Sequence, residues 1–438
     1  MVTVSAGGAS GASGASGADR GARPGRQAPR YTGYPGYTPL VPTFSPHTAD
    51  AAAAVRLAWR VTLLAAAALL ALVIGGPLAW TWYVGSASEP RPAQMNAIDG
   101  VVFVRHGGSR DWVMAKPEEA IAPGDYLRTA ANARAFIELF DQSTVLLYPS
   151  STFRILRAEQ GRYRPEKAAV VLELSQGRAR IGVAPPREPA AAFFQVRTPD
   201  AEVHLQEGSY SADVARGTSQ VRVRLGEATA HTQRGLVAAR AGQRLIVRPD
   251  RAPAGYQPLR YDLVENGWFA DRDRAAPAGW VVRDLSQQDP AGTVSLATVP
   301  GAVSFTRAGR GHGETLLAQA LDVDLWDFDK ATLAADVRVL GHSLSGGGWE
   351  GSEYPLALRV TYRDAAGRLV PWFRGYYLHN DEGFPVRDGV HLPSSDWHRI
   401  EIDLLALVPR PWRIERVEAV AAGWDYFSAI RELHIWVE

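Results

Sequence analysis

The sequence predicts an all-β protein that follows one transmembrane α-helix and a disordered N-terminal tail. An uncharged apolar run occupies residues 61–84, and repeats of Gly, Ala and Ser precede it. From about residue 101 onward, short strands of alternating polarity are separated by Gly, Pro and Asp, without helical periodicity. The length beyond the apolar run is enough for two β-domains.

Residues 1–55 are predicted to be a disordered cytoplasmic tail. The repeat GASGASGASGA and the segment RYTGYPGYTPLVPTF lack apolar periodicity and are rich in Gly, Ser, Pro and Ala. Such segments bury too little apolar surface to offset the entropy lost on folding. A functional alternative stays open, in which the spaced tyrosines dock a partner or are modified.

Residues 57–84 are predicted to be a transmembrane helix. The run VTLLAAAALLALVIGGPLAWTWYV has no ionisable side chain, and its length corresponds to about 36 Å of helix, against ~30 Å of hydrocarbon core. Arg56 and Arg60 precede it, which predicts a cytoplasmic N-terminus and an extracytoplasmic C-terminal region. Trp80, Trp82 and Tyr83 are expected to anchor the outer interface.

We therefore expect a single-pass protein of the bacterial inner membrane with a retained signal anchor. The alternative is cleavage near the small residues at 85–87. The apolar run exceeds the 7–15 residues usual for the core of a signal peptide, which favours retention.

Composition excludes several classes of function. The net charge is +1, so nucleic acid is not an expected partner. The chain has no cysteine, which removes disulfides, thiolate metal sites and thiol catalysis. It has no HExxH, GxSxG or phosphate-loop motif. We predict no enzyme activity, no cofactor, no catalytic residue and no metal site.

Two acidic patterns leave alternatives to that prediction. The segment DVDLWDFD (322–329) resembles a calcium-type acidic run, because hard cations prefer oxygen ligands. It lacks the glycine and final glutamate of an EF-hand, so we interpret it as a polar loop. Two pairs of acidic residues have the composition of a glycosidase carboxylate pair: Glu350 with Glu353, and Asp381 with Glu382. A chain with 46 acidic residues also contains such pairs by chance.

After a linker at 85–100, residues 101–250 resemble the FecR-type extracytoplasmic β-domain. The stretch GDYLRTAANARAFIELFDQSTVLLYPSSTFRI (124–155) carries the Gly-Asp-x-Leu-x-Thr entry and a strand hairpin of that family, with Asp-Gln-Ser at the tip in place of Asp-Gly-Ser. FFQVRTPDAEVHLQEGSYSADV (193–214) carries the Val-x-Thr-Pro-x-Ala-x-Val pattern, and an Ala-Gly-Gln follows at 241–243.

The FecR resemblance implies a role in signalling. In founding members of the family this domain reports the state of an outer-membrane receptor to a cytoplasmic sigma factor through an N-terminal segment. Here a Gly/Ser/Ala repeat stands in place of the compact helical cytoplasmic segment of those members. Signal transduction or sigma-factor regulation is therefore the alternative function.

After a linker at 251–262, residues 263–438 resemble galactose-binding-like, carbohydrate-binding jelly rolls. The resemblance rests on Asn266-Gly267-x-Phe269 followed by Pro277-x-Gly279-Trp280. The downstream strands alternate, as in WHRIEIDLL, which predicts a two-sheet β-sandwich. The resemblance implies a glycan as ligand.

Aromatic residues near turns and strand ends of this domain are the predicted glycan-binding site. Nine of the 13 tryptophans lie here, and aromatic faces stack on sugar rings. For any single aromatic, the alternative to ligand binding is a place in the core. Four tryptophans match structural positions instead: Trp268, Trp280, Trp326 and Trp397. The predicted ligand-binding residues are Trp349, Trp372, Tyr376, Tyr377, Trp412, Trp424 and Tyr426, with Arg374, Asn380 and Asp381 as partners for sugar hydroxyls.

The function predicted from the sequence is non-catalytic interaction within the cell envelope. The expected partner is an envelope polysaccharide or an envelope protein.

Overall fold

The structure is a computed structural model of the 438-residue chain. It describes residues 48–252, 255–273, 276–288, 290–296 and 301–438, with side chains from residue 53 onward. Most of the predicted tail, residues 1–47, lies outside the described residues. The first helix begins at Thr48, so residues 48–55, which were predicted to belong to the tail, are helical.

The predicted transmembrane helix is confirmed as a helix. It comprises α1 Thr48–Leu70, a π-helical turn Ala71–Gly75 and α2 Gly76–Ser86. Within the described part of the chain, the stretch Ala53–Ser86 is long and apolar enough to cross a membrane. The predicted all-β class of everything that follows is also confirmed.

The first β-domain contains strands β1 to β18. They are β1 Ser88–Pro90, β2 Ala93–Asp99, β3 Val102–Arg105, β4 Val113–Met114, β5 Glu119–Ile121, β6 Tyr126–Thr129, β7 Arg134–Glu138, β8 Thr144–Leu147, β9 Thr152–Gly161, β10 Ala168–Val183, β11 Ala192–Arg197, β12 Glu202–Leu205, β13 Gly208–Ala215, β14 Thr218–Leu225, β15 Glu227–Thr232, β16 Gly235–Arg240, β17 Gln243–Val247 and β18 Tyr256–Pro258.

Long strand β10 joins the two sheets of this domain. Its first half pairs with β9 and β11, and its second half pairs with β8 and β13. The path of paired strands closes into a barrel. Alternate residues of β7 and β8, such as Ile137 and Val145, are buried in one apolar cluster, as the period of two in their sequence requires. The hairpin predicted at Asp141-Gln142-Ser143 is present.

Both predicted linkers contain strands. Residues 88–99 form β1 and β2, and β2 pairs with β5 and β7 while Ala93 and Met95 are buried in the core. Residues 256–262 form β18 and β19 (Tyr261–Asp262), which pair with β17 and the C-terminal strand. β1, β18 and β19 have only two or three residues, too few to show a sequence period, and pairing with other strands holds all four in place.

The second β-domain contains the remaining strands. They are β19, β20 Arg272–Asp273, β21 Ala276–Pro277, β22 Val281–Asp284, β23 Thr293–Leu296, β24 Ala302–Asp324, β25 Ala331–His342, β26 Leu356–Asp364, β27 Leu369–Tyr377, β28 Gly389–His391, β29 His398–Asp403 and β30 Pro411–Val437, with 3-10 turns at Pro189–Ala191 in the first domain and Leu404–Ala406 in this one.

Long strands β24 and β30 each run through both halves of the second domain. One half contains β22, the C-terminal part of β24, the N-terminal part of β30, β26 and β27. The other contains β23, the remaining parts of β24 and β30, β25 and β29. Leu317 and Leu358 of the first half share one buried cluster with Phe305 and Ile430 of the second, so the two halves form a sandwich.

Candidate functional site

The first half-sheet of the second domain has an outer face that points away from the core. Leu317, Leu358 and Val417 belong to the buried core, so the alternate residues on those strands point outward. Backbone register places four of them in one row across the strands: Ala318, Glu418, Arg359 and Phe373. A second row, next to it, is formed by Ala320, Arg416, Thr361 and Pro371.

Charged side chains form a connected set on this face. Arg359 Nη2 lies 3.3 Å from Glu314 Oε1, and Arg359 Nη1 lies 3.8 Å from Glu418 Oε2. Arg416 Nε lies 3.2 Å from Glu418 Oε1. Next to Glu314 on the same strand, His312 pairs with Glu353. We call this set the outer strip: His312, Glu314, Glu353, Arg359, Arg416 and Glu418.

Glu418 is the most unusual member of the outer strip. Its side chain is 2% exposed, while those of Arg359 and Arg416 are 27% and 43% exposed. Glu418 Oε2 makes no hydrogen bond within the described residues. A buried carboxylate oxygen without a donor is costly, and a charged neighbour of this oxygen is Arg359 Nη1 at 3.8 Å.

One end of the outer face is covered by two loops. Tyr354 lies over Gly375, where a β-carbon would collide with the ring, and its hydroxyl donates to the Arg387 carbonyl at 2.7 Å. Tyr354, Leu316, Ala357 and Val420 form a small apolar cluster separate from the main core. The covering loops, residues 343–355 and 378–388, therefore form a wall at the end of the outer strip.

These loops converge as a hydrogen-bonded unit. Gly346 N donates to the His379 carbonyl at 2.8 Å, and Ser345 Oγ donates to Asn380 Oδ1 at 3.0 Å. Asp425 N donates to Ser343 Oγ at 2.9 Å, which brings in the turn at 423–425 of β30.

Trp349 is at the tip of this unit. Its side chain is 81% exposed, and its ring is 5.7 Å from that of Phe384 in an edge-to-face arrangement. The loop that carries it has glycines with positive φ at 346, 348 and 351, a region that side chains other than glycine rarely occupy. A β-carbon at Gly348 would lie 2.8 Å from Glu353 Oε2, so Trp349 is next to the outer strip.

Five of the seven predicted ligand-binding aromatics are exposed or half-buried. Trp349 and Trp424 are exposed, the latter at 46%. Tyr377 is half-buried on the outer face beside Tyr354, with its ring 5.6 Å from that of His391. Trp372 is half-buried against the main core. Trp412 is also half-buried, with its ring 6.3 Å from that of Trp326.

The remaining two predicted aromatics are in the core. Tyr376 is 1% and Tyr426 0% exposed, and both belong to the main buried cluster. The Tyr426 hydroxyl hydrogen-bonds Thr315 Oγ1 at 2.5 Å, and burial raises the pKa of Tyr426. Their ring faces are not accessible to a ligand in this structure, and we leave them out of the proposed site.

Two stacked histidines support the loops behind Trp349. The rings of His342 and His379 are 4.1 Å apart and nearly parallel. His342 Nδ1 lies 2.6 Å from the Leu344 carbonyl oxygen, and Leu378 N donates to His342 Nε2 at 3.0 Å. One nitrogen donates and the other accepts, so this arrangement requires neutral His342. Burial lowers the pKa of His342, which favours that form.

The acidic segment, residues 322–329, pairs with arginines of the first β-domain. Asp327 is fully buried, with its carboxylate 3.3 Å from Arg222 Nη2 and 3.4 Å from Arg224 Nη2, and it accepts a hydrogen bond from the Tyr148 hydroxyl at 3.1 Å. Asp324 pairs with Arg178, and Asp329 Oδ2 lies 2.9 Å from Arg224 Nε. The segment is thus neither a free polar loop nor an array of free oxygens.

One member of each carboxylate pair in the glycosidase alternative has a histidine partner. Glu353 pairs with His312, and Asp381 is 85% exposed beside His379. Among the described residues, no group of three or more His, Asp or Glu side chains is arranged to hold a metal ion.

Sequence reasoning missed the outer strip and the interdomain arginines. Arg359 and Glu418 belong to alternating strands, where charged residues usually form an ordinary solvated face. Their separation along the sequence gave no sign of contact. β30 carries charged residues at 413, 415, 416 and 418, and β26 at 359, 363 and 364, so charge in the sequence did not single out Arg359 and Glu418.

Comparison with known proteins confirms the FecR resemblance for part of the first β-domain. Residues 125–229 match the family described as "FecR protein". The match includes Asp125 and Thr129, which order the entry turn here: Ala122 N donates to Asp125 Oδ2 at 3.0 Å, and Ser151 N donates to Thr129 Oγ1 at 2.9 Å. No curated protein sequence matches the chain significantly.

Solved structures similar to this chain include a proposed anti-sigma factor and carbohydrate-binding modules. A proposed anti-sigma factor from Parabacteroides distasonis is 16% identical, with a TM-score of 0.25, over 30% of this chain and 59% of its own length, so this chain spans less than two thirds of it. The carbohydrate-binding module TmCBM61, with β-1,4-galactotriose, is 12% identical over 41% of this chain and 99% of its own, with a TM-score of 0.25. A family 11 carbohydrate-binding module from Clostridium thermocellum is 11% identical over 36% and 88%, with a TM-score of 0.23.

Proposed function

We propose that this chain is a non-catalytic, membrane-anchored protein of the bacterial cell envelope whose second β-domain binds an envelope polysaccharide. The sugar chain lies along the outer strip and ends against Trp349. The proposal rests mainly on one observation, which is the 81% exposure of Trp349 on a loop fixed by hydrogen bonds. A tryptophan ring that is exposed on a loop fixed by hydrogen bonds offers an apolar face on which a sugar ring can stack.

The chemistry of the outer strip suits a neutral or weakly charged sugar. The carboxylate of Glu314 accepts hydrogen bonds from hydroxyl groups, and the guanidinium of Arg359 donates them. Phe373 supplies an apolar ring in the same row, 6.0 Å from the Arg359 guanidinium. The small side chain of Ala320, which is exposed, lets a sugar ring approach the strands at that point.

The other exposed or half-buried aromatics have secondary roles in this proposal: Trp372, Tyr377, Trp412 and Trp424. Trp424 lies in the turn that contacts Ser343, so it extends the apolar rim formed by Trp349. Tyr377 and Asn380 support the covering loops. Trp372 packs on the core, and Trp412 packs beside Trp326, whose ring is 4.3 Å from the Arg134 guanidinium of the first domain.

The test is direct binding to glycans by the full chain in detergent. We expect the chain to retain envelope polysaccharides on a glycan array, and to give a saturable calorimetric titration with the best of them. Trp349→Ala should lower the affinity roughly twofold to tenfold, because an aromatic stacking contact is worth about 0.5–1.5 kcal/mol.

A matched control is available in the same domain. Trp268 is also exposed, at 54%, but its ring centroid lies 4.5 Å from that of His434, with the rings tilted by 56°, and it is not part of the outer strip. Trp268→Ala should leave glycan binding unchanged. Absence of binding to every envelope polysaccharide, or equal loss in both variants, would refute the glycan proposal and leave a protein-binding or structural role.

Transmembrane signalling is the second candidate, and one observation favours it. The last helical residue, Ser86, is followed almost at once by β1, whose Ser88 pairs with Gly161 of β9. No flexible spacer separates the helix end from the first β-domain, so a displacement of that domain would act directly on the helix. Deleting residues 1–50 discriminates the candidates, since a signal transducer would be silenced and a polysaccharide-binding anchor would keep its function.

Orientation is also part of the proposal. A reporter fused after Glu438 should be active only where that reporter works outside the cytoplasm, because Arg56 and Arg60 favour a cytoplasmic start to the helix. A silent periplasmic reporter with an active cytoplasmic one would reverse the topology.

A further inference from the structure

We infer that the turn between β9 and β10, residues 162–167, is a membrane-contacting element that binds the phosphate groups of phospholipids. We call it the basic turn; its sequence is Arg-Tyr-Arg-Pro-Glu-Lys. The inference rests on the helix Ala53–Ser86 lying in a membrane, and it adds a lipid contact that neither the helix nor the glycan proposal requires.

The basic turn is tied to the end of the helix by three contacts. Lys167 Nζ donates to the Gly85 carbonyl at 2.9 Å, and Arg162 N donates to the Ala87 carbonyl at 2.9 Å. Arg162 Nε lies 3.1 Å from Glu89 Oε1. The last carbonyls of a helix have no partner within it, so Lys167 caps this end.

An aromatic pair fixes the depth of the basic turn. The ring of Tyr163 is 6.1 Å from that of Tyr83, which is itself 6.2 Å from the Trp80 ring. Tryptophan and tyrosine at the end of a membrane helix concentrate at the level of the lipid headgroups. Tyr163 is therefore at the same level, although it belongs to a β-hairpin of the first domain and is 80 positions further along the sequence.

The exposed side chains of the turn suit this environment. Arg162, Tyr163 and Arg164 are all exposed, while Lys167 is used as the helix cap. Guanidinium groups bind phosphate with two parallel hydrogen bonds and carry a permanent charge. The Arg162 guanidinium lies 5.8 Å from the Tyr163 ring centroid, so the pair presents an apolar ring and a cation together.

Spin-label depth measurements on the full chain in lipid nanodiscs test the inference. The chain has no cysteine, so Tyr163→Cys, Leu78→Cys and Gln233→Cys each give a single label site. Leu78 is in the helix, and Gln233 is in the exposed turn between β15 and β16. Accessibility to oxygen relative to a water-soluble nickel complex reports the depth of each label.

We expect a label at position 163 to show a several-fold higher oxygen-to-nickel ratio than one at 233, and a lower ratio than one at 78. Adding Arg162→Gln and Arg164→Gln should lower the ratio at 163 toward that at 233, most clearly in nanodiscs that contain phosphatidylglycerol. If position 78 is in the bilayer and position 163 is as accessible to nickel as 233, the basic turn does not touch lipid, although the helix is inserted. If position 78 is itself exposed to water, the membrane assignment fails.

Discussion

Two charged regions of the second β-domain each contain a buried carboxylate, but the partners of these carboxylates differ in exposure. In the acidic segment, Asp327 is fully buried and faces two arginines of the first domain and a tyrosine hydroxyl. In the outer strip, Glu418 is equally buried, but its arginine partners Arg359 and Arg416 are partly exposed. One oxygen of each carboxylate, Asp327 Oδ2 and Glu418 Oε2, makes no hydrogen bond among the described residues.

This difference distinguishes a charged cluster that is enclosed in the structure from one whose arginines are accessible to a ligand. The two arginines that face Asp327 are enclosed between the two domains, with Arg222 2% and Arg224 9% exposed, so removal of one partner leaves a buried ion that water cannot reach. Around Glu418 the arginines reach solvent, so a ligand can contact their guanidinium groups. The first region therefore holds the β-domains together, and the second is suited to exchange partners.

Asp327→Asn tests the structural side of this comparison and should have the largest effect. The amide keeps the shape but removes the charge that faces Arg222 and Arg224, and we expect a loss of stability of about 3–5 kcal/mol. Denaturant unfolding followed by tryptophan fluorescence measures it. Asp322→Asn is the control, because Asp322 is 52% exposed and pairs with Arg413, a surface pair worth at most about 1 kcal/mol. Equal effects at both positions would remove the distinction.

Glu418→Gln tests the available side. We expect glycan affinity to fall by roughly tenfold, about 1.4 kcal/mol, because the charge that pairs with Arg359 and holds it on the outer face is removed. Stability should fall by no more than about 1–2 kcal/mol, since Arg359 and Arg416 can be hydrated. Glu415→Gln is the matched control: Glu415 is on the same strand and its Oε1 lies 2.6 Å from Arg363 Nε. If Glu418→Gln costs as much stability as Asp327→Asn, the outer strip is a structural cluster.

The fold class was predictable because local patterns determine it. The uncharged run 61–84 allows only a helix that is buried or in lipid, and strands such as β7 and β8 have a clear period of two. Strands β1, β2 and β19 were not predictable, because their positions depend on pairing with residues far away in sequence.

The candidate site was predicted only in part, for a related reason. In the segment Pro371–Tyr377, the residues Trp372 and Tyr376 point one way and Phe373 and Tyr377 the other. Both faces carry aromatics, so the pattern cannot say which face is the core. Asp327 could not be predicted to be buried for a different reason. Its burial comes from contact with residues 222 and 224 of the other domain, and no local feature of the sequence indicates that contact.

The loops that hold Trp349 should weaken at mildly acidic pH. Burial holds the pKa of His342 below its usual value, and the stacked His379 acts in the same direction. The unfolded state then binds the proton more readily, so the contribution of His342 is complete above about pH 6.5 and falls as the pH drops below that value. Hydrogen exchange of residues 343–355, corrected for intrinsic rates, should be faster at pH 5.5 than at pH 7.5. His342→Gln keeps an acceptor for Leu378 N but cannot titrate, and it should show no such difference; an unchanged pH dependence in this variant would assign the effect to another group.

Asp329 should give the smallest effect, although it also pairs with interdomain arginines. Partial burial raises the pKa of Asp329, but Arg224 and Arg180 outweigh burial and leave the pKa below its usual value. A carboxyl group with a lowered folded pKa stabilises the protein above its unfolded pKa of about 3.9, and this stabilisation is lost as the pH falls through the folded value. The side chain is 53% exposed, so solvent screening limits the contribution to less than about 1 kcal/mol. We expect Asp329→Asn to lower the unfolding midpoint slightly at pH 7 and to match the unchanged chain below about pH 3, as measured by denaturant titrations at both pH values. A loss as large as that of Asp327→Asn would mean that exposure does not distinguish the aspartates of this segment, and the contrast between enclosed and available charges would then need another basis.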